Sequence, residues 1–367
     1  MSSINLHEKP FDEETIIKLE LFENYAKAWI PTFVMGEYYK EFCIFDFFAG
    51  TGYDNNGIAG SPIRILRQLN AHVGNIFNKK KKVNVCFNEF DKDKYNLLKI
   101  SCEEYLADNP DLKRAISVKF YNEDLADLFP REYQTLCDYP SLVYMDQNGV
   151  KFMSDKYFLA LEKANTTDFL YYLSSSYILR FGDTEAFQAN LKIDLERAKQ
   201  NPYRYIHESI LEQLKEKLPE NSTLKLYPFT IKKQKGVYGV IFGAKHPIAV
   251  DKFLNAAWNC NCINGNANFD IDDDAGKRQL DLWEGKSLTK IEKFAKSLNG
   301  QIMSEKISTN KEVYDFALDH GHVAKHASDE VSKMKKEGLI MYSERSPLIN
   351  YDQVYKNKRI ITYKKRR

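Results

Sequence analysis

The stretch Phe42-Cys43-Ile44-Phe45-Asp46-Phe47-Phe48-Ala49-Gly50-Thr51-Gly52 decides the fold. A short apolar and aromatic run halts at two glycines, as a buried strand feeding a tight turn does. Such a turn brings backbone close to a ligand and leaves N–H groups free to hold it. No Lys-Ser/Thr pair follows, which excludes a Walker A loop. The third glycine, Gly57, stands five residues after Gly52 and breaks the dinucleotide pattern G-x-G-x-x-G. What remains is an acidic residue, Asp46, three residues and then Gly50-x-Gly52; an ordinary glycine-rich turn is the plain alternative.

Working outward, residues 13 to 30 place Ile16, Leu19, Phe22 and Ala26, with Tyr25 and Trp29 beside them, at helical spacing. Ser61-Pro62 opens a helix with an N-cap and a proline at its first position. Strands are expected at 83–88, 116–121, 141–146 and 168–173, with helices at 91–106, 123–135 and 154–164 between them. Strand and helix in regular alternation make an α/β, doubly wound parallel sheet. Two helices at 183–200 and 203–218 and a hairpin about Lys235-Gly236 follow. Five parallel strands closed by a hairpin form the seven-stranded, Rossmann-like sheet of the class I methyltransferases. The expected organisation is a helical segment over 1–39, the sheet domain over 40–260 with a helical insertion at 183–218, and a polar linker over 261–285. Over 286–367 the order helix, turn, helix, strand, strand reads as a winged helix.

Acidic residues recur at the strand ends, the edge where open α/β sheets bind ligands. In an S-adenosylmethionine site Asp46, Phe48, Ala49, Gly50 and Gly52 would hold the amino-acid end of the cofactor. Glu89 would accept the ribose hydroxyls, Phe90 would pack on the adenine, and Asp124 would face the adenine amino group. Asp146 and Asn148, after strand four, are the candidate catalytic pair: Asp146 to orient or deprotonate a nucleophile, Asn148 to donate to a base edge. Each acid alone could be a solvated loop residue; their register at successive strand ends argues for a site.

The chain resembles the three-Cys-motif partner family (TcmP), a group similar to class I methyltransferases. The resemblance is carried by Tyr25 and Trp29, Phe45 to Gly52, Gly60-Ser61-Pro62, Asn88-Glu89, Tyr144 to Gly149, and Val240 to Pro247 with Phe253 and Trp258. It implies S-adenosylmethionine as cofactor and a partner protein with a three-cysteine, iron-sulfur-type motif. One departure is chemical. Where the family has an Asp-Pro-aromatic-Gly turn, related to the Asp/Asn-Pro-Pro-aromatic turn of amino-methylating enzymes, this chain keeps Asp146 but has Gln147 for proline and Asn148 for the aromatic, so the stacking ring is lost.

The chain of 367 residues carries 53 Lys+Arg against 51 Asp+Glu, and its basic excess lies in 311–367, with 13 Lys+Arg against 8 Asp+Glu. Lys333, Lys335 and Lys336 on the candidate recognition helix, with Lys358 and Arg359 beyond it, suit phosphate contacts; protein docking or solubility is the alternative. Lys79 to Lys82 reads as a solvated turn. His322 and His326 lack the glutamate of H-E-x-x-H. The series Asp270, Asp272, Asp274 has Ala275 where an EF-hand requires glycine, so no metal site is expected. Six scattered cysteines form no disulfide framework. The longest charge-free apolar stretch, Phe169 to Leu179, is eleven residues, against about 20 for a membrane span. With the polar, acidic start MSSINLHEKPFDEE, this sets the expectation of a cytoplasmic protein without membrane contact. The expected function is methyl transfer from S-adenosylmethionine to nucleic acid. The alternatives are an inactive methyltransferase-like subunit that binds nucleic acid or a partner protein, and a small-molecule methyltransferase.

Overall fold

A computed structural model describes residues 10–147, 150–188, 191–192, 202–233, 236–279 and 287–366. The chain divides into two compact units, 1–245 and 246–367.

The first unit is built on a seven-stranded sheet. Its strands are β1 (Glu41–Asp46), β2 (Lys82–Asn88), β3 (Ile116–Tyr121), β4 (Ser141–Met145), β5 (Thr167–Ser174), β6 (Lys225–Lys233) and β7 (Gly236–Ala244). They lie in the order β3-β2-β1-β4-β5-β7-β6. β1 to β5 run parallel, and β7 is antiparallel to both β5 and β6. This is the class I methyltransferase order, and it reverses direction between β1 and β4, where doubly wound sheets bind ligands. The central strands are buried on both faces, which explains their continuous apolar runs. Gly243 of β7 leaves room for Phe169 of β5: a Cβ there would stand 2.1 Å from the Phe169 ring. Of the expected hairpin turn, Gln234 and Lys235 lie outside the described residues, and the flanking Lys233 pairs with Gly236.

The N-terminal helix runs from Glu13 to Met35, past Pro31, because Trp29, Ile30 and Val34 continue its buried stripe and packing outweighs one lost hydrogen bond. It lies on the sheet: Phe22 stacks on Tyr144 of β4 at 4.2 Å between centroids, and the Tyr25 hydroxyl donates to Asp168 Oδ2 at 2.7 Å. The described part of the expected N-terminal segment, 10–39, thus falls within the sheet unit. Lys81 is not a solvated lysine either. It is buried, and its Nζ donates to the carbonyls of Gly36 and Tyr39, tying down the C-terminal end of this helix. Within the expected insertion, the helix Pro202–Glu216 packs Ile210 and Leu214 into the core beside Phe169 and Ile241. Residues 189–190 and 193–201 lie outside the described residues.

The second unit starts earlier than the sequence suggests. Helix Pro247–Cys260, expected to end the sheet domain, belongs here: Tyr314 donates to Asp251 Oδ2 at 3.0 Å, and Trp258 Nε1 donates to the Gly321 carbonyl at 2.9 Å. The expected linker is folded over its described part, 261–279. Asn264 is fully buried and bonded to Asp272, while the buried Asp274 accepts the Lys290 N–H at 2.8 Å and pairs with Lys277. Its asparagines and aspartates bond one another, nearby backbone groups and lysines, the need that a polar composition alone disguises as a loop. Helices Lys290–Met303 and Asn310–Asp319 both open on complete capping boxes, Thr289 with Glu292 and Thr309 with Glu312. Helix Ala324–Lys336 follows. Then come β8 (Ile340–Met341) and its antiparallel partner β9 (Lys364–Lys365), shorter than the expected strands, with a bridge joining Thr309 to Thr362.

Candidate functional site

Asp46 ends β1 and is completely buried. Burial pushes its carboxyl up to about 7; the Ser61 hydroxyl and the Phe48 N–H oppose the shift, and the neighbouring Asp146 and Glu89 charges add to it. Its Oδ1 accepts the Phe48 N–H at 3.3 Å, while Oδ2 makes no well-formed hydrogen bond among the described residues, the Ser61 hydroxyl being near the carboxyl without meeting that geometry. An orphaned buried carboxylate oxygen is costly. A cationic ligand group with N–H donors would remove that cost.

The turn after Asp46 takes the left-handed backbone that its glycines permit, φ 66° at Gly50 and 88° at Gly52. Gly52 has a second reason to be glycine. Its Cβ would stand 2.7 Å from Ser101 Cβ, so the turn is pressed against the helix Lys92–Asp108, and this crowding comes from protein rather than from ligand space. Ala49 is buried, with its N–H donated to the Asn88 carbonyl at 2.9 Å, and Phe48 lies against Phe152 at 5.6 Å. The Gly50 N–H is not free: it donates to Glu89 Oε2 at 3.0 Å, while Glu89 Oε1 accepts the Asp91 N–H at 2.9 Å. Each of those oxygens keeps a lone pair, so the half-buried Glu89 can still accept hydroxyl donors. Phe90, beside it, is 70% exposed.

Asp124 has duties that sequence spacing did not show. It caps helix Leu125–Asp138 through the Ala126 N–H at 2.8 Å and pairs with Lys151 at 3.4 Å. The capping bond, chiefly, and the Lys151 charge hold its carboxyl below its ordinary value. An adenine amino group would compete with Lys151 there.

Asp146, past the end of β4, is ion-paired to Lys18 of the N-terminal helix. Lys18 is 7% exposed, and its Nζ stands 3.9 Å from the centre of the Tyr172 ring, which stacks on Tyr238. Lys18 is the residue that sequence reasoning missed. The signal was present: Lys18, Phe22, Tyr25 and Trp29 lie on one helical stripe, and a lysine there is out of place unless an acid meets it. Gln147 turns inward, its Oε1 accepting the Phe152 N–H at 2.9 Å, and its Nε2 has no partner among the described residues. Asn148 and Gly149 lie outside the described residues. Asp46, Glu89, Asp146 and Lys18 thus gather at the carboxyl edge of β1, β2 and β4.

In the second unit the five candidate basic residues divide. Lys333, in loose contact with Glu337 at 4.0 Å, Lys336 and Lys358 face solvent. Lys335 does not. Its Nζ donates to the carbonyls of Tyr342 at 3.2 Å and Glu344 at 2.8 Å, and it lies 3.8 Å over the Tyr342 ring, so it pins the segment after β8. Arg359 is held by Glu344 at 2.8 Å. His322 is buried and His326 half-buried, and their rings bond each other at 3.0 Å. His322 stacks on Phe294 at 4.0 Å, and burial pushes it down to about 2, so it is neutral. Among the described residues no three His, Cys, Asp or Glu side chains come together as a metal site, and no helix is long and apolar enough to cross a membrane.

No family model matches the chain, and no curated protein matches it. Solved structures similar to it include the O-methyltransferase TomG from Streptomyces achromogenes in complex with SAM, 12% identical with a TM-score of 0.33, the match covering 65% of this chain and 91% of TomG. Another is Trm1 from Pyrococcus horikoshii with S-adenosyl-L-methionine, 11% identical with a TM-score of 0.37, covering 67% of this chain and 59% of Trm1.

Proposed function

We propose that the chain transfers a methyl group from S-adenosylmethionine to nucleic acid. The observation that carries the first half is Asp46: a buried carboxylate with one orphaned oxygen, under a glycine turn, between Glu89 and Asp146, on a sheet of methyltransferase order. Those residues fit the cofactor. Asp46 and the turn 47–52 would hold its amino-acid end, with the ammonium towards Asp46, Glu89 its ribose hydroxyls, and Phe90 one face of its adenine. Bound there, it supplies an electrophilic methyl group on a sulfonium. The chain's own part is to orient the acceptor, exclude water and take up a proton, with Asp146 nearest that task.

The second half rests on the other unit. Three helices, a two-stranded ladder and the Thr309 to Thr362 bridge suit a winged helix, whose last helix carries Lys333 and Lys336 at its solvent face. A second reading, a methyltransferase-like subunit docked on a partner protein, is favoured by the exposed apolar side chains Phe90, Leu97 and Ile100. Two measurements test the proposal: equilibrium dialysis of labelled S-adenosylmethionine against the full chain, and filter binding of RNA and DNA at falling salt. Retention of both ligands supports it. Cofactor binding without nucleic-acid binding favours the second reading, and no cofactor binding defeats the proposal.

A further inference from the structure

We propose that the acceptor is a hydroxyl group bound between Lys18 and Asp146, and that in nucleic acid it is the ribose 2′-hydroxyl of RNA. This rests on the methyl-transfer reading above. Lys18 Nζ meets Asp146 Oδ2 with the Tyr172 ring beneath it, at a helix position otherwise given to large apolar residues. Desolvating a lysine is costly before pairing offsets it, and a leucine or methionine would fill this stripe without that cost. Asp146 Oδ1 has no partner among the described residues, and the carboxylate side chain keeps 22% of its surface exposed. The pair therefore presents a charged donor and a charged acceptor side by side.

A hydroxyl satisfies both, since its oxygen accepts from the ammonium while its proton goes to the carboxylate. The amino group of a base does not: it has two donors and its nitrogen lone pair is drawn into the ring, so the ammonium would face a second donor. The turn agrees, because Gln147 stands where amine-methylating enzymes carry proline and spends its carbonyl on Phe152 N–H. RNA carries a 2′-hydroxyl on each nucleotide and DNA has none. In the transfer the hydroxyl oxygen forms the bond to the methyl carbon, and the carbon–sulfur electron pair stays on the departing thioether. The hydroxyl proton passes to Asp146 Oδ1 and on to water. Lys18 stays protonated and steadies the charge developing on oxygen.

The test uses the full chain with S-adenosylhomocysteine, so that nothing turns over, and a short single-stranded RNA beside DNA of the same sequence. Wild type should bind the RNA about tenfold or more tightly than the DNA, the effect of a hydrogen bond to a charged group. Lys18→Met should make the two affinities equal without changing S-adenosylhomocysteine affinity, and Lys18→Arg should restore part of the preference. If Lys18→Met does not fold, Asp146→Asn, which keeps the shape, takes its place with the same expectation. With labelled S-adenosylmethionine and bulk RNA, the label should survive alkali in dinucleotides, because a methylated 2′-oxygen cannot attack the adjacent phosphodiester. A wild type that binds S-adenosylhomocysteine but shows no RNA preference overturns the hydroxyl assignment alone. So does a preference that survives Lys18→Met, label in alkali-released mononucleotides, or no label in RNA. A wild type that does not bind S-adenosylhomocysteine overturns the cofactor reading and this inference with it.

Discussion

Asp46→Asn should make the protein more stable at high pH and a worse cofactor binder. The Asp46 carboxyl is raised from 3.8 to about 7 in the folded chain, mainly by burial. Between those values the folded state keeps a proton that the unfolded chain has released, so stability is greatest below pH 4 for this group and falls as pH rises towards 7. Three units at 1.36 kcal/mol each make the penalty about 4 kcal/mol above pH 7. Asparagine removes the charge but leaves an amide hydrogen without an acceptor, at about 1–3 kcal/mol. The net gain at pH 8 is then about 1–3 kcal/mol, which in a unit of this size is a rise in Tm of about 2–12 °C. Near pH 4 the wild-type acid is neutral and only the unpaired amide hydrogen remains, so the variant should there be the less stable by about 1–3 kcal/mol, and the order of the two should invert as pH rises. Thermal unfolding of both, followed by circular dichroism from pH 4 to 8, checks it. Parallel pH profiles would refute the reasoning, because they would mean that Asp46 titrates normally and is not the strained, ligand-awaiting group described above.

Glu89→Ala should weaken S-adenosylmethionine and S-adenosylhomocysteine alike by about 1.5–3 kcal/mol, the worth of hydrogen bonds to a charged group; equal affinities in dialysis would return Glu89 to the role of loop brace for Gly50 and Asp91. Gly52→Ala should cost about 1–3 kcal/mol of stability, from the left-handed backbone and the Ser101 contact together, and an unchanged Tm would contradict the crowding seen there. Lys333→Gln with Lys336→Gln should flatten the dependence of log affinity on log salt by about 1.8 on duplex DNA, 0.9 for each phosphate contact. Lys335→Met should instead lower the Tm of the second unit and leave the salt slope unchanged, since Lys335 holds Tyr342 and Glu344 carbonyls; equal slope losses for all three lysines would argue against that division.

The sheet was legible because its central strands are short, apolar throughout and punctuated by glycine and helix caps, so Phe42 to Gly52 and its counterparts announce themselves. The acids at the strand ends were legible for the same reason: a charged residue directly after a buried run has few places to go. What each acid holds was not, because Asp124 caps its own helix and Glu89 braces its neighbouring turn, and both are local uses that strand-level spacing does not distinguish from ligand binding. Lys18 pairs with Asp146 across 128 positions, and no local pattern encodes such a partner. The stretch 261–279 read as a connector because Asn and Asp satisfied by backbone, lysine and one another have the same composition as Asn and Asp satisfied by water. Lys335 and Lys336 are adjacent in sequence yet point to different fates, since one faces the segment after β8 and the other does not.

Calorimetric titration of the full chain with S-adenosylmethionine at pH 7.5, repeated with Asp46→Asn, tests the central claim most directly. The account predicts saturable binding at one site, weakened in the variant, with a buffer-dependent release of protons by the wild type that reports the Asp46 carboxyl moving from its raised value towards an ordinary one. A wild type with no saturable heat, or a variant that binds as tightly as wild type, would contradict it.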